Sequence, residues 1–381
     1  MRRTVWLPVI GGFLANVIFG AFVGSFSTLL PSMLQDVGAP LSEGGLIGSA
    51  FFAGYLISQV PFAMLAERLG VLRVVSSGLV VYTILHFVFA TSSTWNEILF
   101  YRFLQGFLGG AVFIPTLQLA FEVGDERRSF ATGFVASGFN AGTGLGAYYS
   151  FAASGGKWQT GLISATLVFA ALIPVASTLI FTARRQRQEK RSTDFSKDSG
   201  FYFLNILHFV RLGVIIATTT WMPTALASLH GLSEGSAAFY SSILQLTGIV
   251  SLTVGGYVTD MLGKGRVLVM NVAALSAALA VSQSVPVWLL PLYVALLGFL
   301  IYLPTPAAFA ILRDRYHAGG ASVAAGYLNT SAAAGAIMMP YLFGVLHDVF
   351  KGFASSFYLT AALYLILLPL IPTLTKKQLK Q

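Results

Sequence analysis

The stretch AMLAERLGVLR, residues 63–73, has a counterpart later in the chain in GYVTDMLGKGR, residues 256–266. The alignment pairs Glu67 with Asp260 and Gly70 with Gly263. Other paired landmarks recur at nearly the same spacing, which chance does not produce; they are LLPSML (29–34) with TWMPTAL (220–226), LSEGG (41–45) with LSEGS (232–236), and GFN (138–140) with GYLN (326–329). The two halves of the chain are therefore parallel repeats, an arrangement typical of alternating-access carriers whose site lies between the repeats.

The composition identifies a membrane protein. Of the 381 residues, 56% are apolar and only 10% are charged, against roughly 25% charged residues in an ordinary soluble domain. About 20 apolar residues are needed to cross ~30 Å of hydrocarbon, and we identify twelve stretches of this kind. The predicted spans are 5–31, 44–66, 73–93, 97–121, 129–151, 158–182, 201–224, 236–259, 266–285, 288–312, 320–345 and 353–375.

The basic residues set the expected orientation. The first span follows Arg2 and Arg3 as a signal peptide would, but its apolar run exceeds the roughly 7–15 residues of such a segment, so we expect it to remain. With the N-terminus inside, nineteen of the 23 Lys and Arg residues fall on the inner side, as the positive-inside rule requires. We therefore expect a multi-pass plasma-membrane protein with both termini cytoplasmic. The net charge of +9 reflects this topology, and no nucleic-acid partner is predicted.

One polar stretch divides the chain six spans plus six. Residues 183–200, ARRQRQEKRSTDFSKDSG, are dense in charge and lack periodic apolar positions, which indicates a cytoplasmic linker. The sequence thus predicts an all-α membrane protein with twelve transmembrane helices in two six-helix bundles, residues 1–182 and 201–381, related by the internal repeat. We expect a monomer surrounded by membrane lipid.

The chain resembles the major facilitator superfamily over essentially its whole length. The family's loop motif after its second helix reads roughly Gly-x-Leu-Ala-Asp-Arg-x-Gly-Arg-Arg, and its fourth helix carries Arg-x-x-Gln-Gly. The matching residues are Ala63, Leu65, Ala66, Glu67, Arg68, Gly70 and Arg73 in the first loop, Gly256, Asp260, Gly263, Lys264 and Arg266 in the second, and Arg102, Gln105 and Gly106 in RFLQG. The first loop departs from the pattern, with Ala63 for Gly and Glu67 for Asp.

The resemblance implies that the loop residues form an inner gate that holds the two bundles together in one state only. A carboxylate at a helix end, followed by glycine and basic residues, suits such a contact. The expected gating residues are Glu67, Arg68, Arg73, Asp260, Lys264 and Arg266. The alternative is a pair of solvated turns whose charges only follow the positive-inside rule.

Two local patterns predict packing and helix starts. Ser42 and Ser233 stand where an N-cap is expected for a helix re-entering the membrane, and we assign them no transport role. Gly138, Gly142 and Gly146 are spaced by four, so they share one helix face that can approach another helix closely.

Arg211 is the most informative residue because it lies near the middle of a predicted span. An arginine there costs about 2.5–3.5 kcal/mol on insertion scales. Asn205, His208, Arg211 and Thr218 recur at steps of three or seven, so we expect one polar stripe that faces a wet cavity. The interiors of the predicted spans contain no Asp or Glu. The partner of Arg211 is then either an anionic substrate or, alternatively, backbone carbonyls and neutral side chains of the protein.

Further candidates surround this residue. Arg102 is either a second anion contact or a structural or gating residue. A coupled proton would ride on His208, although a hydrogen-bonded role is the commoner one, and exchange of two anions needs no titrating group. Neutral side chains expected to face the cavity are Asn16, Tyr55, Gln59, Asn140, Gln245, Tyr302, Thr305 and Asn329.

The predicted function is transport. The chain has no cysteine, no His-x-x-x-His pair and no clustered acids, so neither an enzyme nor a metal site or cofactor is expected. We predict a secondary transporter for a small carboxylate-like anion that works as a proton symporter or an anion exchanger. The alternatives are a multidrug or neutral-solute carrier and a transporter-like receptor. The resemblance disfavours drug efflux, because exporters of the family carry a Gly-Pro pair that the fifth span lacks.

Overall fold

The computed structural model describes residues 6–119, 125–182, 199–305, 307–308, 311 and 318–371. This part of the chain is helical, with short 3₁₀ turns and no strand among the described residues. The helices are α1 (Trp6–Gly24), α2 (Leu30–Val37), α3 (Gly44–Leu69), α4 (Val71–Ala90), α5 (Trp95–Gly109), α6 (Phe113–Gln118), α7 (Asp125–Ala152), α8 (Trp158–Ala170), α9 (Ile173–Ile180), α10 (Ser199–His230), α11 (Glu234–Leu262), α12 (Lys264–Ala280), α13 (Leu290–Tyr302), α14 (Ala318–Phe350) and α15 (Ala354–Leu367).

Each of the twelve predicted spans coincides with helix in the described residues. Two spans consist of two helices in succession, α5 with α6 and α8 with α9, and the first span covers α1 and ends where α2 begins. Within the described ranges, seven segments are long and apolar enough to cross a membrane by themselves. The all-α membrane fold is confirmed, while the linker expected at 183–200 lies almost wholly outside the described residues.

The internal repeat is visible in the backbone of the two loops quoted above. Gly70 ends α3 and begins α4 at φ 94° and ψ 145°, and Gly263 ends α11 and begins α12 at φ 86° and ψ 142°. A positive φ strains any residue with a Cβ, which explains why glycine occupies both positions. The repeat therefore preserves the turn geometry as well as the sequence.

Packing within each half is also repeated. Gly138, Gly142 and Gly146 of α7 lie against the carbonyl groups of Phe13, Val17 and Ala21 of α1, so closely that a Cβ would overlap them. The predicted packing face is thereby confirmed, and its spacing by four is matched on both helices. In the second half, Gly335 of α14 lies equally close to the Phe209 carbonyl of α10.

A second repeated contact joins α3 to α5 and α11 to α13. Gly106, the glycine of RFLQG, lies against the Phe51 carbonyl, and Gly298 lies against the Leu244 carbonyl. The two glycines and the two carbonyls occupy equivalent positions in the halves. The fold therefore consists of two like bundles, α1–α9 and α10–α15, which we call the first and the second bundle.

The bundles meet at one end, which we call the far end because the Gly70 and Gly263 turns lie at the other end, the loop end. Gly45 of α3 lies against the backbone of Pro340 of α14, and Ser49 Oγ donates to the Ile337 carbonyl. The bundles also meet between α7 and α11, a contact that we call the seam. A Cβ added at Gly144 of α7 would lie 3.1 Å from the Ser242 carbonyl of α11. These contacts close the far end between the bundles.

One of the two predicted N-caps is wrong. Ser233 caps α11, accepting a hydrogen bond of 3.3 Å from the Ser236 backbone N–H. Ser42 instead lies inside the 3₁₀ turn Leu41–Glu43 and makes no capping bond to α3. Its backbone lies against Gly344 of α14, so closely that a Cβ at Gly344 would overlap the Ser42 carbonyl. This contact joins the two bundles, so Ser42 contributes to closure of the far end.

Candidate functional site

The position of Arg211 follows from how α10 packs. Phe209 and Gly213 face α14, where the Phe209 carbonyl meets Gly335 and Gly213 meets Met339. Arg211 lies midway between these two residues, about 200° from each at 100° per residue. Its side chain therefore points away from α14 and into the second bundle, where it is 7% exposed.

Two neutral side chains hold the guanidinium. Arg211 Nη1 donates to Thr305 Oγ1 at 2.7 Å, and Nη2 donates to His208 Nε2 at 2.9 Å. Arginine has five N–H donors, and Nε has no hydrogen-bond partner in the described part of the chain. No carboxylate within the described ranges pairs with Arg211. The site thus holds a desolvated positive charge with donor capacity to spare, a costly arrangement.

The contact between Arg211 and His208 fixes the protonation of the imidazole. A guanidinium only donates, so His208 Nε2 must be the acceptor and carry no proton. His208 is therefore neutral in this structure, with its hydrogen on Nδ1. The ring is 1% exposed.

A small cavity of about 10 Å³ adjoins the pair, and it has room for roughly one water molecule. Asn271 of α12 also borders it, donating from Nδ2 to the Leu300 carbonyl at 2.7 Å while its Oδ1 has no partner among the described residues. The lining residues are Leu207, His208, Arg211, Leu268, Asn271, Val272, Pro304, Ala308 and Tyr364. An N–H of Arg211 and an oxygen of Asn271 at one cavity are suited to a bridging water or a polar ligand atom.

The expected wet stripe on α10 is wrong for this conformation. His208, Arg211 and Thr218 are buried, and the cavity beside the pair has room for roughly one water molecule. Asn205 faces a different neighbour, since Ser331 Oγ of α14 donates to its Oδ1 at 2.7 Å and its Nδ2 bonds the Phe201 carbonyl. Residues three apart on a helix differ in direction by about 60°. Asn205 and Arg211 are six apart and so differ by about 120°, which places them on different sides of α10.

Other predicted contacts come together where the bundles meet. Tyr302 donates from its hydroxyl to Gln245 Oε1 at 2.7 Å. Gly248 leaves room for the Tyr302 ring, and Asn140 Nδ2 of the first bundle lies 3.2 Å from where a Gly248 Cβ would be. Tyr302 also faces Arg211 closely enough to interact with its charge. Tyr302, Gln245 and Asn140 therefore form a polar group at the seam, and Tyr302 is the member of this group that lies near Arg211.

The remaining neutral candidates are placed apart. Asn16 bonds the Gly12 and Val135 carbonyls and Thr116 Oγ1, which is an interhelical packing role. Asn329 is half-buried on α14. Sequence reasoning missed Asn271 and Tyr364, although both are polar residues in the middle of apolar spans, the same signal that identified Asn140.

Arg102 occupies a separate site in the first bundle. A capping box formed by Thr94 and Glu97 begins α5 two turns earlier and fixes its orientation. The guanidinium is 1% exposed and lies over the rings of Phe26, Phe51 and Phe89, at 4.5, 4.9 and 5.7 Å from their centroids. Nη1 donates to Gln105 Oε1 at 2.7 Å. The aromatic rings stabilise this charge, and the structure does not bring it to Arg211.

The predicted gating residues lie at the loop end. Arg68, Arg73 and Arg266 are exposed and Lys264 is half-buried. The side chains of Glu67 and Asp260 lie outside the described residues, so the gate stays a prediction. Nearby, Leu69, Tyr257 and Met261 expose 49%, 70% and 62% of their surface, in contrast to the close contacts at the far end.

Comparisons with known proteins agree with this architecture. The family model "Major Facilitator Superfamily" matches residues 12–282 and 204–380. The chain is 27% identical over 308 residues to a gallate transporter of Pseudomonas putida, covering 70% of this chain and 68% of the relative. It is 23% identical over 331 residues to a 4-hydroxybenzoate transporter of Acinetobacter baylyi, covering 74% and 72%. A bacterial homologue of the lysosomal transporter Spinster, solved inward-facing and unoccupied, superposes with a TM-score of 0.81 at 14% identity, covering 100% of this chain and 98% of that one.

Proposed function

Because the chain belongs to the Major Facilitator Superfamily, and is therefore a multi-pass membrane transport protein rather than an enzyme, we propose that it carries a small organic anion with a carboxylate group. The observation that supports this cargo is the buried charge of Arg211, which has unused donors and no carboxylate partner in the described chain. The guanidinium fork matches a carboxylate with two parallel hydrogen bonds. Relatives named for the transport of gallate and 4-hydroxybenzoate favour the same class.

The proposed site lies between Arg211 and the seam at Asn140. A cavity for one water cannot admit a benzoate-sized ligand, so binding requires Arg211 to turn toward the seam along the Tyr302 side. Asn140, Gln245 and Tyr302 then supply the neutral contacts to the anion. Thr305 and Asn271 stabilise the site when no anion is bound. Asn205 and Asn329 support the packing of α10 against α14, and Arg102 stabilises the first bundle.

The conformation fits an inward-facing carrier in the plasma membrane. If both termini and the 183–200 linker are cytoplasmic, as the basic residues predict, the loop end faces the cytoplasm and the closed far end faces outward. The contacts of Ser42, Gly45 and Ser49 then form the outer closure. In the outward-facing state, Glu67, Arg68 and Arg73 with Asp260, Lys264 and Arg266 close the inner side.

Uptake into liposomes tests the cargo. Purified protein is reconstituted and given benzoate, 4-hydroxybenzoate, gallate and a hexuronate, with glucose and a lipophilic cation as uncharged and positively charged controls. We expect uptake of at least one carboxylate by the wild type and its loss in Arg211→Gln. Lys157→Gln, which removes an exposed positive charge that has no part in the proposed site or gate, is the matched control for loss of positive charge.

Two results would contradict the proposal. Equal carboxylate uptake by wild type and Arg211→Gln would remove Arg211 from the site. Uptake of glucose or the cation, without uptake of any carboxylate, would instead favour a neutral-solute or multidrug carrier.

A further inference from the structure

We propose that His208 is the proton site that couples transport of the anion to transport of a proton, because a proton on Nε2 and the hydrogen bond from Arg211 exclude each other. This inference rests on the proposed function and adds the coupling ion to it. In the present structure the Nε2 lone pair accepts from Arg211 Nη2 at 2.9 Å. A proton bound at Nε2 occupies that lone pair, so two N–H groups would then face each other across this distance.

The consequence is a change in what the site can bind. Protonated His208 and Arg211 are two buried cations in contact, which repel each other strongly in a low-dielectric interior. Arg211 is then released from the imidazole, and its long side chain can turn toward Tyr302 and the seam. A carboxylate bound there accepts from the guanidinium fork and offsets the second charge. Proton and anion therefore favour each other's binding, and this coupling is reciprocal.

The surroundings of the pair leave no competing proton acceptor among the described side chains. Tyr302 and Tyr364 are the titratable groups that face Arg211 from α13 and α15, and α12 contributes Asn271. On α11 and α14, which also pack against α10, the acidic residues lie at or beyond the helix ends, as Glu234, Asp260 and Asp348 do. Among these titratable groups, His208 is the one whose ordinary titration range lies nearest neutral pH, and it can take up a proton at Nε2 only once Arg211 has left that nitrogen.

The coupled cycle conserves charge. Outside, a proton adds to His208 Nε2 and a monoanion pairs with the freed Arg211, so the loaded site carries one net positive charge, as the empty site does. Inside, the anion leaves, the proton departs from Nε2, and Arg211 again donates to the imidazole. One proton moved with one monoanion is electroneutral, and transport driven in this way responds to a pH gradient and not to membrane potential.

The test compares proton-driven accumulation with exchange in the same liposomes, with 4-hydroxybenzoate as the probe. Under an imposed gradient of one pH unit, we expect roughly tenfold accumulation by the wild type, because coupling one to one equates the two concentration ratios. His208→Gln keeps an oxygen that can accept from Arg211 but cannot titrate. We expect this variant to reach only equal concentrations inside and outside, while exchange of labelled for unlabelled probe remains measurable.

His86→Gln is the matched control. His86 is another fully buried histidine, held by Thr166, Ser25 and the Phe22 carbonyl in the first bundle, and its variant should accumulate the probe as the wild type does. A second measurement uses the wild type alone in weakly buffered detergent solution with a pH-indicator dye. We expect binding of 4-hydroxybenzoate to take up protons from solution.

The outcomes separate this inference from the proposed function. If no carboxylate in the panel enters with the wild type, the proposed function fails and the inference fails with it. If the wild type transports the probe but a pH gradient drives wild type and His208→Gln equally, the inference alone is overturned. Binding of the probe without proton uptake by the wild type would overturn it as well, even if His208→Gln does not fold.

Discussion

Gly45 of α3 lies directly against Pro340 of α14, with no space for a Cβ between the two backbones. Gly45→Ala would therefore keep the bundles from closing at the far end, and we expect the far-end-open state to gain population. The chain has no cysteine, so Ser49→Cys provides a single label site at this closure. Labelling of that cysteine by an impermeant maleimide from the far side should rise in Gly45→Ala.

The matched control for this prediction is Gly235→Ala. Gly235 lies at the same end, but an added Cβ would meet the Phe151 ring at an ordinary 3.4 Å. Equal labelling in the Gly45→Ala and Gly235→Ala backgrounds would mean that the Gly45 contact does not control closure.

The repeated glycine contacts predict a large difference between two alanine substitutions on one helix. Gly142→Ala drives a methyl group into the Val17 carbonyl, and we expect it to destabilise the protein by about 1–3 kcal/mol, as overpacking does. Gly133→Ala meets nothing within 4 Å and should be neutral or stabilise by up to ~1 kcal/mol through helix propensity. Thermal unfolding in detergent measures both, and similar midpoints for the two variants would contradict the packing account.

The sequence predicted the features that depend on one helix at a time. Span positions follow from apolar length, the repeat follows from paired motifs, and the face formed by Gly138, Gly142 and Gly146 follows from a spacing of four. Each of these signals is local or is duplicated in the chain. They can therefore be interpreted without knowing which helices are neighbours.

The site could be predicted only in part, because helical periodicity gives a direction around one axis and not the neighbour found there. Ser42 is a residue type favoured at an N-cap, but its backbone packs against Gly344 of the other bundle. Asn205 shares a spacing with Arg211 yet bonds Ser331. Asn271 and Tyr364 reach Arg211 from two further helices, a convergence that tertiary packing alone determines.

The aromatic enclosure of Arg102 predicts a structural role. Arg102→Met removes the charge above Phe26, Phe51 and Phe89 while keeping much of the side-chain volume. We expect a loss of about 2 kcal/mol in stability, the usual scale for a desolvated cation–π contact, and an unchanged affinity for a carboxylate in the folded protein. A weakened affinity at unchanged stability would instead make Arg102 a second anion contact.

The hydrogen bond at His208 predicts one tautomer. Because Arg211 Nη2 can only donate, the His208 imidazole must be neutral with its hydrogen on Nδ1 when no anion is bound. Nitrogen NMR of ¹⁵N-histidine protein, assigned by comparison with His208→Gln, distinguishes the two ring nitrogens. A His208 signal from a ring protonated at Nε2 in the anion-free protein would contradict the geometry.

The most direct measurement is equilibrium binding of 4-hydroxybenzoate to the purified protein, made on wild type, Arg211→Gln and Arg102→Met. Hydrogen bonds to a charged group contribute about 1.5–3 kcal/mol, so we expect affinity to fall by roughly ten- to 150-fold in Arg211→Gln alone. If wild type and a folded Arg211→Gln bind the anion with the same affinity, the claim that the buried guanidinium is the partner of the anion is contradicted.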